Sequence, residues 1–402
     1  MPTAVKEKEE DTRCYTTFDT QSSPLQPEWR VLRCGCQQMA SFALPVWLAL
    51  QEELLGPGGA APNSFDDFDD DALFQMFHLT RPCIAFITDA VCIRMKTVTV
   101  DRPALSVDAA VMVALNYYAH GLSSADVLQR LGSSQADFPG IICTVSAVIA
   151  GMADQFISFP LLRDARTNVA NSIKRVCGIP NVLGVLAPAH FKIRASPYEK
   201  EKFRSFVNSL GYTSVVSQFI CDSDGNILSV EKCCVGSTFE QELWDSSFKG
   251  KEMEEELHGP YSVIGGNGYR LSNHVLTPVS EPANYHENHF NEAHAKIHNV
   301  MRTTLGSMKR RFRCLMQLGF AKECSLDKQA NIIKACSVLH NIAKKFSVAP
   351  PPVVGKVEPL HPGKQPLAPV TVNREAFEAR RDLIYRNFSI YCKVKAPRDE
   401  DA

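Results

Sequence analysis

The stretch Gly184-Val-Leu-Ala-Pro-Ala-His-Phe-Lys-Ile193 decides the fold class. It opens a region whose texture is that of β-structure, since Gly184–Ile193, Thr213–Cys221 and Asn226–Cys234 are all rich in branched and apolar residues. Asp222-Ser-Asp-Gly225 joins the last two, a strong hairpin signal. Tyr261 to Gly265 reads as a further short strand, and helical periods follow from about Asn291 to Met316 and from Asp327 to Phe346. A sheet begun by antiparallel strands and then covered by helices makes residues 176–346 an α/β unit.

Upstream, residues 39–175 are helical in pattern. Val107 to His120, Ser123 to Leu131 and the stretch near Ile141 to Ile149 carry helix periods, separated by Gly121 and a Gly132-Ser-Ser turn. Three short helices with a tight middle turn resemble a helix-turn-helix unit over 105–150. Asp66, Asp67, Asp69, Asp70 and Asp71 precede Ala72-Leu-Phe-Gln-Met-Phe77, as carboxylates at the positive end of a helix dipole would; an acidic metal site is the sharper alternative. Met39 to Leu55 is an apolar, helix-like run stopped by Gly56-Pro-Gly-Gly59, and residues 1–38 are polar and without periodicity, expected to be a disordered leader. Seven prolines between 347 and 370 predict an extended linker, and Arg374 to Ile390 predicts a terminal helix within a 371–402 tail.

The chain has 402 residues, 45% hydrophobic and 22% charged, which excludes a chain disordered throughout. Its 43 Lys+Arg against 44 Asp+Glu give a net charge of −1, so bulk charge argues for neither nucleic acid nor a membrane surface as partner. The 14 cysteines are scattered with no Cys-x-x-Cys pair, and reduced thiols in a nuclear or cytoplasmic protein are expected. The longest apolar stretch, near Ser41 to Leu50, is too short to cross a bilayer, and no membrane partner is expected.

Several strings in order carry a resemblance. They are Gly178-Ile-Pro-Asn-Val182 followed by Gly184-Val, Leu276-Thr-Pro278, Phe290-Asn-Glu-Ala-His294, Lys309-Arg-Arg-Phe-Arg-Cys314 and Ser337-Val-Leu-His-Asn-Ile342. Together they resemble the PIF/Harbinger transposase-derived nucleases, over about Met39 to Ser389. The resemblance implies a ribonuclease-H-like DDE domain preceded by an all-α, helix-turn-helix-like region. It also implies metal-dependent phosphodiester hydrolysis, in which three carboxylates hold two divalent ions roughly 4 Å apart. Carried over residue by residue, the G-x-x-D string puts Ala187 at the first carboxylate. The G-D-x-x-[YF] string, here Gly265-Gly-Asn-Gly-Tyr269, puts Gly266 at the second, and the helix glutamate falls on Arg302. Where the family has P-G-S-x-H-D, this chain has Val235-Gly-Ser-Thr-Phe-Glu240. No catalytic triad is left, so no cofactor is expected; Mg²⁺ or another divalent cation would enter only with residual nuclease activity on displaced carboxylates such as Glu240, Asp222 or Glu292. The family works with a separate Myb/SANT-like DNA-binding protein, which implies a protein partner here and a nuclear or cytoplasmic location.

Replacement sites can still be read from the residues. His294 and His298 share a helix face as zinc ligands would, with ordinary packing as the alternative. His190, Asp222, Asp224 and Glu240 could hold a weak cation, although Asp222 and Asp224 also suit the turn itself. Between Leu105 and Pro160 the only cation is Arg130, against Asp108, Asp126, Asp137 and Asp154, so the helix-turn-helix is poorly equipped for phosphate. Residues 290–315 are the reverse: Lys296, Arg302, Lys309, Arg310, Arg311 and Arg313 face only Glu292. That patch reads as a DNA-backbone contact, a nuclear-import signal or a solvated helix end.

Overall fold

A computed structural model describes residues 65–98, 107–121, 137–193, 201, 203–255, 257–318, 325–352 and 373–389. The leader, the 39–55 run, the middle helix of the helix-turn-helix and most of the proline-rich stretch lie outside them.

The first half is helical: α1 (Asp70–Phe77), α2 (Arg81–Val98), α3 (Val107–His120), α4 (Asp137–Ala150), the single turn α5 (Ala153–Phe156) and α6 (Arg163–Cys177). The acidic cluster does what a helix start needs. Asp69 caps α1, its carboxylate accepting from Ala72 N at 2.7 Å, while Asp70 and Asp66 pair with Arg81. α6 stops at Gly178, whose φ of 82° lets its N–H close back onto Lys174 O.

A mixed sheet follows: β1 (Val182–Lys192), β2 (Ser214–Cys221), β3 (Ile227–Val230) and β4 (Cys234–Val235), then α7 (Glu240–Ser246), α8 (Phe248–Glu254), β5 (Ser262–Gly265) and β6 (Val275–Leu276). The strand order is β3-β2-β1-β5-β6, with β4 also on β2. β2 and β3 run antiparallel to their neighbours, whereas β5 lies parallel to β1 and β6 parallel to β5. The chain closes with α9 (Tyr285–Arg311), α10 (Leu326–Lys345) and α11 (Arg374–Asn387).

β1 is buried along almost its whole length, which explains its near-continuous apolar composition. Gly184 is required there, because a Cβ would lie 2.4 Å from Ile220 Cγ2. Pro188 is tolerated in this central strand for a geometric reason. Ile193 N donates to Thr213 O on the β2 side, so by alternation the even-numbered nitrogens face β5. β5 has already ended at the Leu186↔Gly265 pair, and a missing N–H at 188 breaks no ladder bond.

Side chains alternate along β1. Val185, Ala187, Ala189 and Phe191 face the main core, which includes Phe290, Ile297, Met301 and Met308 of α9, whereas Leu186 faces a smaller cluster with Trp244, Met253 and Tyr269; Leu183 joins that cluster too, because the pairing with β5 shifts register between Val182 and Gly184. Among the described residues no single helix is long and apolar enough to cross a membrane.

Two expectations on element ends need correcting. The long helix starts at Tyr285, six residues before Asn291, because Asn284 supplies the cap, its side chain accepting from Glu287 N. It ends at Arg311 rather than Met316, since Phe312 leaves helical geometry (φ −116°, ψ 81°) and Arg313–Met316 form a 3₁₀ turn.

Candidate functional site

The sheet brings side by side the first two positions that the resemblance points to. Leu186 pairs with Gly265 in parallel register, so Ala187 and Gly266 are each one residue beyond that pair. Ala187 is 1% exposed and faces the α9 side of the sheet. A Cβ on Gly266 would meet His298 Nε2 at 3.5 Å, so α9 stands over this point. Arg302 follows His298 by one helical turn, is exposed, and donates from Nε to Asn299 Oδ1 at 2.7 Å.

Two histidines of α9, His294 and His298, stand over Gly265 and Gly266. Their rings stack, with centroids 5.9 Å apart and planes 13° from parallel. His294 Nε2 donates to Gly265 O at 3.0 Å. Burial, helped by the neighbouring His298, takes His294 down to about 4, and burial alone lowers His298. Both are therefore neutral at pH 7, and one nitrogen of His294 is already committed. The donor set is alanine, glycine, arginine and a neutral imidazole stack. It does not fit a pair of divalent ions, which need several anionic oxygens. Among the described residues no group of three or more His, Cys, Asp or Glu side chains is placed to hold a metal ion.

The other carboxylates lie elsewhere. Glu240 is 5% exposed and packs beside Gly268, where a Cβ would lie 2.7 Å from its Cδ. Its neighbour Tyr269 belongs to the smaller cluster, on the face opposite Ala187. Burial first, then the Glu240 charge, push the Tyr269 phenol upward. Asp222 Oδ1 accepts from Asp224 N and Asn226 N, and its Oδ2 accepts from Asn226 Nδ2, so it holds the hairpin turn. Asp224 is exposed on that turn, and His190 is buried on β1, bonded through Nδ1 to Ser214 Oγ. Glu292 is exposed on α9.

The basic patch divides, and one member requires correction. Arg311 is not a nucleic-acid contact, because it is 3% exposed and its Nη groups donate to His78 O and to Val348 O. Burial lowers it to about 10. Its position was readable from spacing, since it follows Met308 by three and Thr304 by seven on the buried stripe. Lys309 Nζ donates to His190 O at 3.0 Å and lies over the Phe191 ring. Arg310 is half-buried. Lys296, Arg302 and Arg313 are exposed.

The strings that carry the resemblance also have a physical role that their spacing does not reveal. Asn291 clamps the Val279 backbone, accepting from its N at 2.8 Å and donating to its O at 2.8 Å. Asn341 does the same to Ile227 on β3 and also donates to Phe156 O. His340 Nε2 donates to Gly225 O, and Arg380 of α11 donates to Thr277 O and Pro278 O of the Leu-Thr-Pro string. These are side-chain clamps on backbone groups, and they hold helices to the sheet.

Residues 188–341 match the family model described as DDE superfamily endonuclease, the match beginning one residue after Ala187. The chain is 30% identical over 326 residues to the nuclease-like protein HARBI1 of Xenopus laevis, covering 81% of this chain and 92% of that protein. It is 28% identical to HARBI1 of Bos taurus and of Homo sapiens over the same shares. No solved structure matches the chain. The clamped α/β scaffold and these likenesses lead to one assignment: the chain belongs to the Harbinger-derived, nuclease-like branch of the DDE superfamily.

Proposed function

We propose that this protein has kept the transposase-derived scaffold and lost metal-dependent strand cleavage, and that it acts in the nucleus as an interaction protein with a Myb/SANT-like DNA-binding partner. What supports this reading is that the resemblance assigns the family's three carboxylate positions to Ala187, Gly266 and Arg302, none of which is an acid. Arg302 adds a permanent cation where the family has an anion, and that charge repels a divalent ion. The clamps built from Asn291, Asn341 and Arg380 remain in place. A scaffold retained without its ligands suits binding better than hydrolysis.

The test is plasmid cleavage by the full chain in Mg²⁺ and in Mn²⁺, with and without EDTA. No cleavage above the protein-free control is expected. EDTA-sensitive cleavage that disappears in Glu240→Ala would instead establish a nuclease working with displaced carboxylates.

A second reading, DNA-backbone binding through α9, is favoured by the exposure of Lys296, Arg302 and Arg313. It requires duplex binding that weakens steeply with salt and is reduced in Lys296→Ala/Arg302→Ala/Arg313→Ala. Absent or salt-independent binding would eliminate it.

A further inference from the structure

A cavity of about 530 Å³ opens between the hairpin turn at Ser223–Gly225, one flank of α9, α10 and the segment just after it. None of the three positions that the resemblance points to lines it. Thr303, Ser307 and Arg311 line it, whereas His298 does not; Asn299 also lines it and accepts from Arg302 Nε, so Arg302 borders the cavity without lining it. The volume is that of a small-molecule site.

Its wall contains an unusual group. Arg311 is 3% exposed, and its Nη atoms are held by His78 O and Val348 O, but among the described residues its Nε–H has no acceptor. Among the described residues no carboxylate forms an ion pair with it. A buried cation without a counter-charge is costly, and an anion in the adjoining cavity would offset that cost. Lys344 supplies a second cation, with one N–H committed to Asp224 O at 2.7 Å and others left over. Ser307 and Ser347 add hydroxyl donors to the lining.

We propose that this cavity binds a small phosphate-bearing molecule, with Arg311 and Lys344 as its cationic anchors. A tetrahedral oxyanion offers three acceptor oxygens to cations and hydroxyls arranged around it, where a carboxylate offers two. The remaining volume accommodates an organic body of roughly sugar size. A duplex backbone is not the favoured source, because Arg311 lies inside the fold. Asp224 is exposed at the cavity and opposes an anion, which gives the proposal a signed consequence.

The experiment is calorimetric titration of the full chain with inorganic phosphate and with adenosine monophosphate, using chloride at matched ionic strength and adenosine as controls. Saturable 1:1 binding of phosphate at roughly millimolar affinity or better is expected. Lys344→Ala should weaken it at least about tenfold, and Asp224→Asn should tighten it severalfold. Ser307→Trp, which fills the cavity, should abolish it with an unchanged circular dichroism spectrum. Absence of saturable binding, or binding that survives unchanged in both Lys344→Ala and Ser307→Trp, would overturn the proposal. A DNA duplex that displaces phosphate from the wild-type chain would also overturn it, assigning the cavity to nucleic-acid backbone.

Discussion

Arg311 shows how far one side chain's role can lie from its local sequence. In the run Lys309-Arg-Arg-Phe-Arg313 it looks like the middle of a surface patch, yet it ties the carbonyl after α1 to the carbonyl after α10. Arg311→Met should therefore cost about 3 kcal/mol, since it strips two buried carbonyls of their donor. Arg313→Ala, two residues on and exposed, should stay within about 0.5 kcal/mol. Urea unfolding of the two variants checks the contrast, and equal effects would refute the assignment. Gly184 makes a second residue-scale case. Gly184→Ala should destabilise by about 2 kcal/mol or more, because its methyl would meet Ile220 and the Cys221 carbonyl inside a packed sheet.

At the scale of elements, much was legible and the reasons are specific. The strand runs at 184–193 and 213–221 read correctly because both are buried on two faces and so are apolar throughout. Asp222-Ser-Asp-Gly225 read correctly because its turn chemistry is local. Helix α6 is legible only as part of the helical 39–175 region and its bounds are not, since only Ala170, Ile173 and Cys177 are buried in an otherwise polar stretch. α2 is likewise not singled out within that region, although Cys83, Ile84, Ile87 and Val91 are buried at helical spacing. The assignment of the family's carboxylate positions to Ala187, Gly266 and Arg302 rests on the resemblance alone, because an alanine, a glycine and an arginine have no chemical signature of their own. The clamping asparagines were visible as parts of strings, but their partners are more than ten residues away in one case and more than a hundred in the other. Asn341→Ala should cost about 2–3 kcal/mol, leaving the Ile227 N–H and two carbonyls without side-chain partners at the edge of the sheet. Hydrogen exchange should then show Ile227 and its neighbours opening while β1 stays protected. Uniform loss of protection, or none, would count against a local clamp.

At the scale of the whole molecule, buried histidines set the response to acid. Burial takes His78, His294 and His340 each down to about 4. An unfolded chain takes up those protons near 6.5, so between about pH 4 and 6.5 the unfolded state binds more protons than the folded one. Stability should therefore be fully present above pH 6.5 and fall as the pH drops through this window, by up to about 3 kcal/mol per ring. Thermal unfolding across pH 4.5–7.5 checks this, and His294→Gln should flatten part of the slope. A melting temperature constant over that range would contradict it.

The near-zero net charge also resolves at this scale. Lys296 and Arg302 are exposed on α9, and the proposed function takes the carboxylates that the family would place close by to be lost. The measurement that bears most directly on a nuclease scaffold without its metal centre is titration of the wild-type chain with Mn²⁺, following the free ion by electron paramagnetic resonance. No manganese site tighter than roughly millimolar is expected. Two ions held per chain at micromolar affinity would contradict it.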